Sequence, residues 1–269
     1  MSSYRHIHQQ EFHLKFDEKI LIRDLQEYLL NGLVIVVSPH QDDESIGMGG
    51  TIAKLIKMKF KVYTIFTTIE KNDPEIFSSP LRRIIESTQA LFQLGVENRN
   101  DSEIKFLKIP DGDTRQFVLN YRKSVGTLKK IITDIEKNEN VSDSEGNYIK
   151  EGKTLILTTS RMDAHRDHEE TFNMVKNALR KRIILEFPVV NHMSSSFISN
   201  CIINISDCYQ IKLNALNKYG GEIRKNRILW QDIDSLEKEM GQRIGVERAE
   251  GCFVSWHGYI PPIIKIIEI

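Results

Sequence analysis

Short runs rich in valine, isoleucine and leucine alternate with longer segments of helical periodicity along most of this chain. The runs cover residues 33–37, 61–67, 104–109, a segment ending at Thr158, and 183–187. Such runs are typical of buried strands, and their alternation with helices is typical of parallel sheets, in which each strand needs a crossover connection. The pattern therefore predicts an α/β fold whose mainly parallel sheet is covered by helices.

The segments between and after these runs predict the helices and the remaining strands. Helices are expected over residues 24–30, 51–58, 80–94, 127–135, 169–181, 207–219 and 232–240, and strands over 253–256 and 263–267. The segment Gly47-Met48-Gly49-Gly50 lacks the spacing of a dinucleotide-binding fingerprint, and we expect it to form a tight loop before the helix at 51–58. We expect residues 1–269 to form a single domain, with a motif-bearing core over about residues 33–253.

Composition narrows the class of partner and the cell compartment. Lysine plus arginine equal aspartate plus glutamate at 37 each, which removes any global electrostatic argument for nucleic acid or an anionic membrane. The three cysteines have no Cys-x-x-Cys spacing, and an odd number fits a reducing compartment better than a disulfide framework. The N-terminus lacks the apolar core of a signal peptide, and no apolar run reaches the roughly 20 residues of a membrane span. We expect a cytoplasmic protein with a small-molecule partner.

Two clusters of metal-type ligands follow predicted strands. Ser38-Pro39-His40-Gln41-Asp42-Asp43-Glu44 comes after the first strand, and Asp163-Ala164-His165-Arg166-Asp167-His168 comes after the strand that ends at Thr158. Ligands of open α/β sheets bind in the crevice beyond the carboxyl ends of the strands. The two clusters therefore predict one shared site.

His40, Asp43 and His168 together supply two imidazoles and one carboxylate. This set commonly binds Zn²⁺, with Fe²⁺ as an alternative, and leaves a coordination position open for catalysis. Asp42 remains free to act as a general base. We expect His165 to be held protonated by Asp167 and to stabilise an oxyanion, an arrangement that suits amide hydrolysis.

The motifs also resemble those of a known family. His40-Gln41-Asp42-Asp43-Glu44, then Gly47-x-Gly49-Gly50, then His165-x-Asp167-His168 is similar to the LmbE/PIG-L family of zinc-dependent N-acetylglucosaminyl deacetylases. The resemblance implies a Rossmann-like three-layer sandwich and the same metal ligands, with Asp42 as base and Asp167 tuning His165. It also makes Arg83 a candidate substrate contact, although Arg83 and Glu86 are spaced for a local ion pair. Gln41 and Arg166 stand where the family pattern has proline.

The sequence thus predicts a hydrolase that removes the N-acetyl group from an N-acetylglucosamine-like sugar conjugate. One alternative is an amidase that acts on a larger amide, such as an aminosugar thiol conjugate. A non-haem iron oxygenase uses the same ligand set, and a sugar-binding protein could keep the fold without turnover. Residues 69–79, 111–118 and 191–196 are candidate pocket walls. For His192 and His257 a structural or surface role is favoured over a place in the pocket.

Overall fold

The computed structural model describes residues 32–69, 79–97, 103–110, 114–139, 154–179, 182–193, 197, 199–220 and 227–256. The strands are β1 (Leu33–Ser38), β2 (Lys61–Ile69), β3 (Ile104–Pro110), β4 (Thr154–Thr159), β5 (Ile183–Phe187), β6 (Cys201–Asn204) and β7 (Ala249–Trp256). The helices are α1 (Asp43–Lys57), α2 (Pro80–Leu94), α3 (Thr114–Asn138), α4 (Arg166–Ala178), α5 (Tyr209–Leu216) and α6 (Arg227–Ile244). A short 3-10 turn, Val190–His192, follows β5.

All seven strands form one sheet, in the order β3-β2-β1-β4-β5-β7-β6. Strands β1 to β5 run parallel, whereas β7 runs antiparallel to both β5 and β6. The prediction of an α/β fold with a mainly parallel sheet is therefore confirmed. From β1 the chain proceeds outward through β2 and β3, and from β4 it proceeds outward through β5 on the other side. The crevice between the carboxyl ends of β1 and β4 is thus the topological switch point, where ligands bind in such sheets.

Helices cover both faces of the sheet, because the central strands are apolar on both. Val34 and Val36 of β1 point into a core that includes residues of α1, α2 and α5. Leu33, Ile35 and Val37 point into a second core, which includes residues of α3 and α4. Alternate residues of a strand face opposite sides of the sheet, and both sets are buried here. The result is the three-layer arrangement that the sequence predicted.

The first helix differs most from the prediction. It begins at Asp43, not at residue 51, and the predicted glycine loop lies inside it at a kink where Met48 has φ −140° and ψ 22°. The glycines allow close packing: a Cβ on Gly47 would lie 2.3 Å from the ring of Phe187, and one on Gly50 would lie 2.7 Å from Ile205. The prediction missed the first half of this helix because its glycines have low helix propensity. In the folded chain, tertiary packing outweighs that propensity.

The bounds of other helices and strands also differ from the predicted ones. Helices α3 and α6 extend beyond the predicted 127–135 and 232–240, α4 begins three residues before 169, and α5 is shorter than 207–219. Strand β7 begins before residue 253, and β6 was not predicted. The predicted elements at 24–30 and 263–267, most of the candidate pocket walls and His257 lie outside the described residues.

Two predictions from composition can be compared with the structure. Cys201, Cys208 and Cys252 are buried and form no disulfide, as expected from their spacing. Among the described residues, no helix combines the length and apolar character needed to cross a bilayer.

Candidate metal centre

Two loops on neighbouring strands carry the predicted site residues. His40 and Asp42 lie between the end of β1 and the start of α1, and His165 lies between β4 and α4. Because β1 and β4 are adjacent and parallel, their carboxyl ends bring the two clusters together at the switch point. Asp43 occupies the first turn of α1, while Asp167 and His168 occupy the first turn of α4. Both helices direct their positive N-terminal ends toward the site.

Three donor atoms of the predicted ligands form a small triangle. Nδ1 of His40 lies 3.0 Å from Oδ2 of Asp43, and Nε2 of His168 lies 3.2 Å from the same oxygen. The two ring nitrogens are 3.2 Å apart. A tetrahedral zinc ion with ligand bonds of about 2.0–2.1 Å separates its ligand atoms by roughly 3.3 Å. The donor set and its spacing therefore fit such an ion.

The charges of this triangle support one another. Burial raises the pKa of Asp43, but His168 and His40 outweigh burial and hold that pKa well below its usual range. Burial lowers the pKa of His168, whereas Asp43 and Asp163 raise it, to about 9 overall. The ionised form of Asp43, which contacts both rings, is thus strongly favoured. Such an environment is expected at a metal site, because a bound cation would take the place of the ring protons.

Each of these rings also meets a carboxylate on its outer side. Nε2 of His40 lies 3.3 Å from Oδ2 of Asp167, and Nδ1 of His168 lies 2.8 Å from Oδ2 of Asp163. The predicted partner of Asp167 was His165. The structure places the Asp167 carboxylate against His40, and the backbone N–H of Asp167 donates to His165 Nδ1 at 3.2 Å.

His165 lies against the metal-type ligands but in a different electrostatic state from the one predicted. Its ring centroid is 4.8 Å from those of both His40 and His168. Burial lowers the pKa of His165, and His40 and His168 lower it further, while Asp167 raises it by less. This balance favours a neutral ring over the protonated one that the sequence suggested. Since Nδ1 accepts the N–H of Asp167, the neutral ring carries its proton on Nε2 and remains a hydrogen-bond donor.

Asp42 is buried beside the triangle. Its Oδ2 accepts a hydrogen bond of 3.0 Å from Nη2 of Arg83, and the same Nη2 donates to the carbonyl of Gln41 at 2.7 Å. Burial raises the pKa of Asp42 to about 6, although Arg83 opposes the shift. A carboxyl group with a pKa close to neutrality is suited to taking up and returning a proton.

Arg83 is more enclosed than a simple substrate contact would be. It is 8% exposed, and its guanidinium carbon lies 5.8 Å from the centroid of the Tyr219 ring. Nη1 lies 3.7 Å from Glu86, so the local ion pair expected from the sequence is present but long. The contacts in the structure show Arg83 holding Asp42, and its contact with substrate stays a prediction.

Three further residues lie at the site: Asp163 and Glu44 belong to the sequence clusters but had no assigned role, and for His192 a structural or surface role was favoured. Asp163 contacts His168, and the ring of His192 lies 4.9 Å from that of His165 and 5.3 Å from that of His168. Glu44 accepts hydrogen bonds from the Tyr219 hydroxyl at 2.6 Å and the backbone N–H of Asp42 at 3.1 Å. His192 follows the carboxyl end of β5, next to β4, and this strand-end position was the available signal. Glu44 offered no such signal because its partner is distant in sequence.

The match to known families agrees with this geometry. Residues 35–179, more than half of the chain, match the family described as GlcNAc-PI de-N-acetylase, PIG-L. The chain belongs to the PIG-L family. The resemblance to LmbE/PIG-L proteins, inferred from motifs around His40 and His168, is therefore confirmed.

Several solved structures resemble this PIG-L protein. The N,N'-diacetylchitobiose deacetylase from Pyrococcus horikoshii aligns with a TM-score of 0.60 at 20% identity, covering 89% of this chain and 93% of that one. The A40926 pseudoaglycone deacetylase Dbv21 gives 0.59 at 15%, covering 86% and 100%. The 4-carboxy-2-hydroxymuconate hydratase GalB from Pseudomonas putida gives 0.64 at 14%, covering 85% and 98%. Identities this low show a common fold, and the reaction must be argued from the site.

Proposed function

We propose that this chain is a metal-dependent hydrolase that removes the N-acetyl group from an N-acetylglucosamine-like sugar conjugate. The observation that carries the proposal is the triangle of His40, Asp43 and His168 with the buried carboxyl group of Asp42 directly beside it. Family membership supports cleavage of an N-acetyl amide, since the PIG-L family is described as a de-N-acetylase. Acetate and a free amine would be the products.

The proposed metal ligands are His40 Nδ1, Asp43 Oδ2 and His168 Nε2, with Zn²⁺ as the first candidate and Fe²⁺ as the second. A different set, His40, His165 and His168, also has donor atoms within 4.8 Å of one another. We favour Asp43 over His165 because the Asp43 oxygen lies 3.0 Å and 3.2 Å from the two ring nitrogens. A bound zinc ion lowers the pKa of a water molecule to about 7 and polarises a carbonyl group.

The chain's own groups would handle the protons and the developing charge. Asp42, with a pKa of about 6, would accept a proton from the attacking water and pass it to the leaving amine. Arg83 keeps the Asp42 carboxylate in place through the 3.0 Å hydrogen bond. The Nε2–H of His165 would donate to the oxyanion of the tetrahedral intermediate.

The class of substrate is a more specific proposal than the type of reaction. Among similar structures are a deacetylase of N,N'-diacetylchitobiose, which is an N-acetylated sugar, and a deacetylase of the pseudoaglycone of the antimicrobial A40926. Both names describe the removal of an acetyl group. A larger amide, such as an aminosugar thiol conjugate, is the second candidate for this same chemistry. An iron oxygenase is less well supported because oxygen chemistry does not require the base Asp42. The balanced charge supports a small-molecule partner over nucleic acid, and we propose a cytoplasmic location.

Acetate release tests the proposal. Metal-stripped protein is incubated with a panel of N-acetylglucosamine conjugates, with and without added zinc, and acetate is quantified with and without oxygen. We expect zinc-dependent, oxygen-independent release from at least one conjugate. Release of a larger acid would support the amidase, whereas oxygen-dependent turnover would overturn the hydrolase. Absence of any release from a protein that binds one zinc ion per chain would also count against the deacetylase.

A further inference from the structure

We propose that Asp163 is a positioning residue that fixes the ring of His168 for metal binding and the backbone of His165 for catalysis. The proposal rests on the metal centre of the proposed function. Asp163 lies outside the His165-x-Asp167-His168 motif and ends no strand or helix. Its side chain nevertheless contacts both of the histidines that follow it.

The first contact fixes the ring of His168. Oδ2 of Asp163 lies 2.8 Å from Nδ1 of His168 as a close charge contact and not as an aligned hydrogen bond, and both side chains are fully buried. The other ring nitrogen, Nε2, lies 3.2 Å from both His40 and Asp43. A carboxylate behind a ring keeps the proton on the nitrogen that it contacts and leaves the lone pair on the other nitrogen. Asp163 thereby prepares Nε2 as a ligand atom.

The second contact fixes His165, the residue that caps α4. Oδ1 of Asp163 accepts a hydrogen bond of 2.9 Å from the backbone N–H of His165. The side chain of His165 in turn caps α4 by accepting the N–H of Asp167. One carboxylate therefore contacts both the backbone of His165, which caps the helix, and the ring of His168 on its first turn.

The position of Asp163 is itself constrained from two sides. Its backbone N–H donates to the carbonyl of Ser160 at 3.2 Å, which closes a turn at the end of β4. Asp163 also forms an isolated antiparallel bridge with Met193, and the neighbouring Ala164 N–H donates to the carbonyl of His192 at 2.8 Å. These bonds tie the loop after β4 to the segment after β5. A side chain anchored in this way can hold a ligand within narrow limits.

The test is the zinc affinity of Asp163→Asn, measured by competition with a chromophoric chelator. The asparagine oxygen can still accept from His165, but its NH₂ group would face Nδ1 of His168 and shift the ring proton to Nε2. We expect zinc affinity to fall about 10- to 100-fold, the usual effect of losing a carboxylate behind a ligating histidine. Because the asparagine keeps the contact with the backbone N–H of His165, we expect kcat and KM at saturating zinc to stay close to wild type.

A matched control separates this effect from general loss of a buried charge. Glu136 is 3% exposed and pairs with Arg182 at 2.9 Å, near the amino end of β4, where it accepts from Thr154. Glu136→Gln also removes one buried carboxylate, and we expect it to leave zinc affinity unchanged. Equal zinc affinity in wild type and folded Asp163→Asn would overturn the proposal.

A measurement on the wild-type protein keeps the proposal testable even if Asp163→Asn does not fold. In zinc-loaded protein, ¹⁵N–¹H spectra should show a slowly exchanging proton on Nδ1 of His168, identified by its loss in His168→Gln. A proton absent from that nitrogen would overturn the role of Asp163. Failure of the wild-type protein to bind zinc would instead overturn the metal centre, and the proposal with it.

Discussion

Three consecutive acidic residues at the start of α1 have different pKa values because each meets different partners. Burial raises the pKa of Asp42 to about 6 and that of Glu44 to about 7. Burial also raises the pKa of Asp43, yet His168 and His40 bring it well below the usual range. At the residue scale, the identity of the contacts decides which carboxylate stays charged and which holds a proton near neutrality.

Replacing the proposed base should abolish most turnover without releasing the metal. We expect Asp42→Asn to lower kcat about 10²- to 10⁴-fold, the range for loss of a general acid/base. Asparagine keeps the size of the side chain but cannot take up the proton. The measurement is acetate release together with zinc content per chain. Asp207→Asn, at a carboxylate whose side chain is 60% exposed, is the control. Full activity in Asp42→Asn would remove Asp42 from the mechanism.

Glu44 should make stability depend on pH in a defined direction. Its pKa in the folded protein is about 7, against 4.5 for the ordinary group, so between these values the unfolded chain loses a proton that the folded chain keeps. Its contribution to the free energy of unfolding therefore falls as pH rises through that window and is constant above it.

The effect is measured by difference from Glu44→Gln in urea unfolding of metal-stripped protein. The stability of wild type relative to the variant should fall by about 3 kcal/mol between roughly pH 4 and pH 8. Comparison with the variant cancels the opposite contribution of Asp43. Parallel stability curves for the two proteins would show that Glu44 ionises normally.

At the element scale, α1 is two helical segments joined at Met48. The second segment starts with an N-terminal cap from another part of the chain: the carboxylate of Glu250 accepts the N–H groups of Gly50 and Thr51 at 2.9 Å and 2.8 Å. This cap satisfies N–H groups that a kink would otherwise leave without partners. The kink is therefore maintained by β7 and keeps Asp43 on the first turn beside the site.

Two glycine substitutions should change stability in opposite directions. In Gly50→Ala the new Cβ would lie 2.7–2.8 Å from three atoms of Ile205, and we expect a loss of about 1–3 kcal/mol from overpacking. In Gly126→Ala, within α3, nothing lies within 4 Å of the new Cβ. Here we expect a gain of about 0.5–1 kcal/mol from helix propensity. Thermal and urea unfolding measure both, and a stabilising Gly50→Ala would contradict the packing argument.

At the scale of the whole molecule, one buried lysine joins elements from both ends of the described chain. Lys212 of α5 donates to the carbonyl of Ile46 at 2.7 Å and to Glu250 at 2.6 Å, and it also pairs with Glu237 of α6. Burial lowers the pKa of Lys212, but the two carboxylates outweigh burial and raise it. The lysine therefore stays charged and links α1, α5, α6 and β7.

Removing that charge should be costly. Lys212→Met keeps most of the side-chain volume but leaves two buried carboxylates facing each other, and we expect a loss of about 3–5 kcal/mol in the free energy of unfolding. Lys238→Met removes an exposed lysine that pairs with Asp234 at 2.7 Å, and should cost less than about 0.5 kcal/mol. Urea unfolding of both variants tests the contrast, and similar losses would argue against the buried network.

The sequence by itself determined the class of fold and the chemical types present at the site. Helix α2 and strand β5 have the predicted bounds. Apolar periodicity indicates which side of a segment is buried, and local signals such as Pro80 indicate where the segment begins or ends. The two strand-end clusters were visible for the same reason: a buried apolar run followed by His40, or by His168, is a local pattern.

Only the tertiary structure decided which atoms meet. The contact of Asp167 with His40 spans 127 residues of sequence, and the one between Tyr219 and Glu44 spans 175. Such pairs depend on the order and register of β1, β4 and β5, which periodicity does not encode. The glycine-rich first half of α1 was missed because its stability comes from close packing and from Glu250, not from local propensity. Local pattern indicates whether a residue is buried, whereas the positions of distant elements decide its partner and hence its charge.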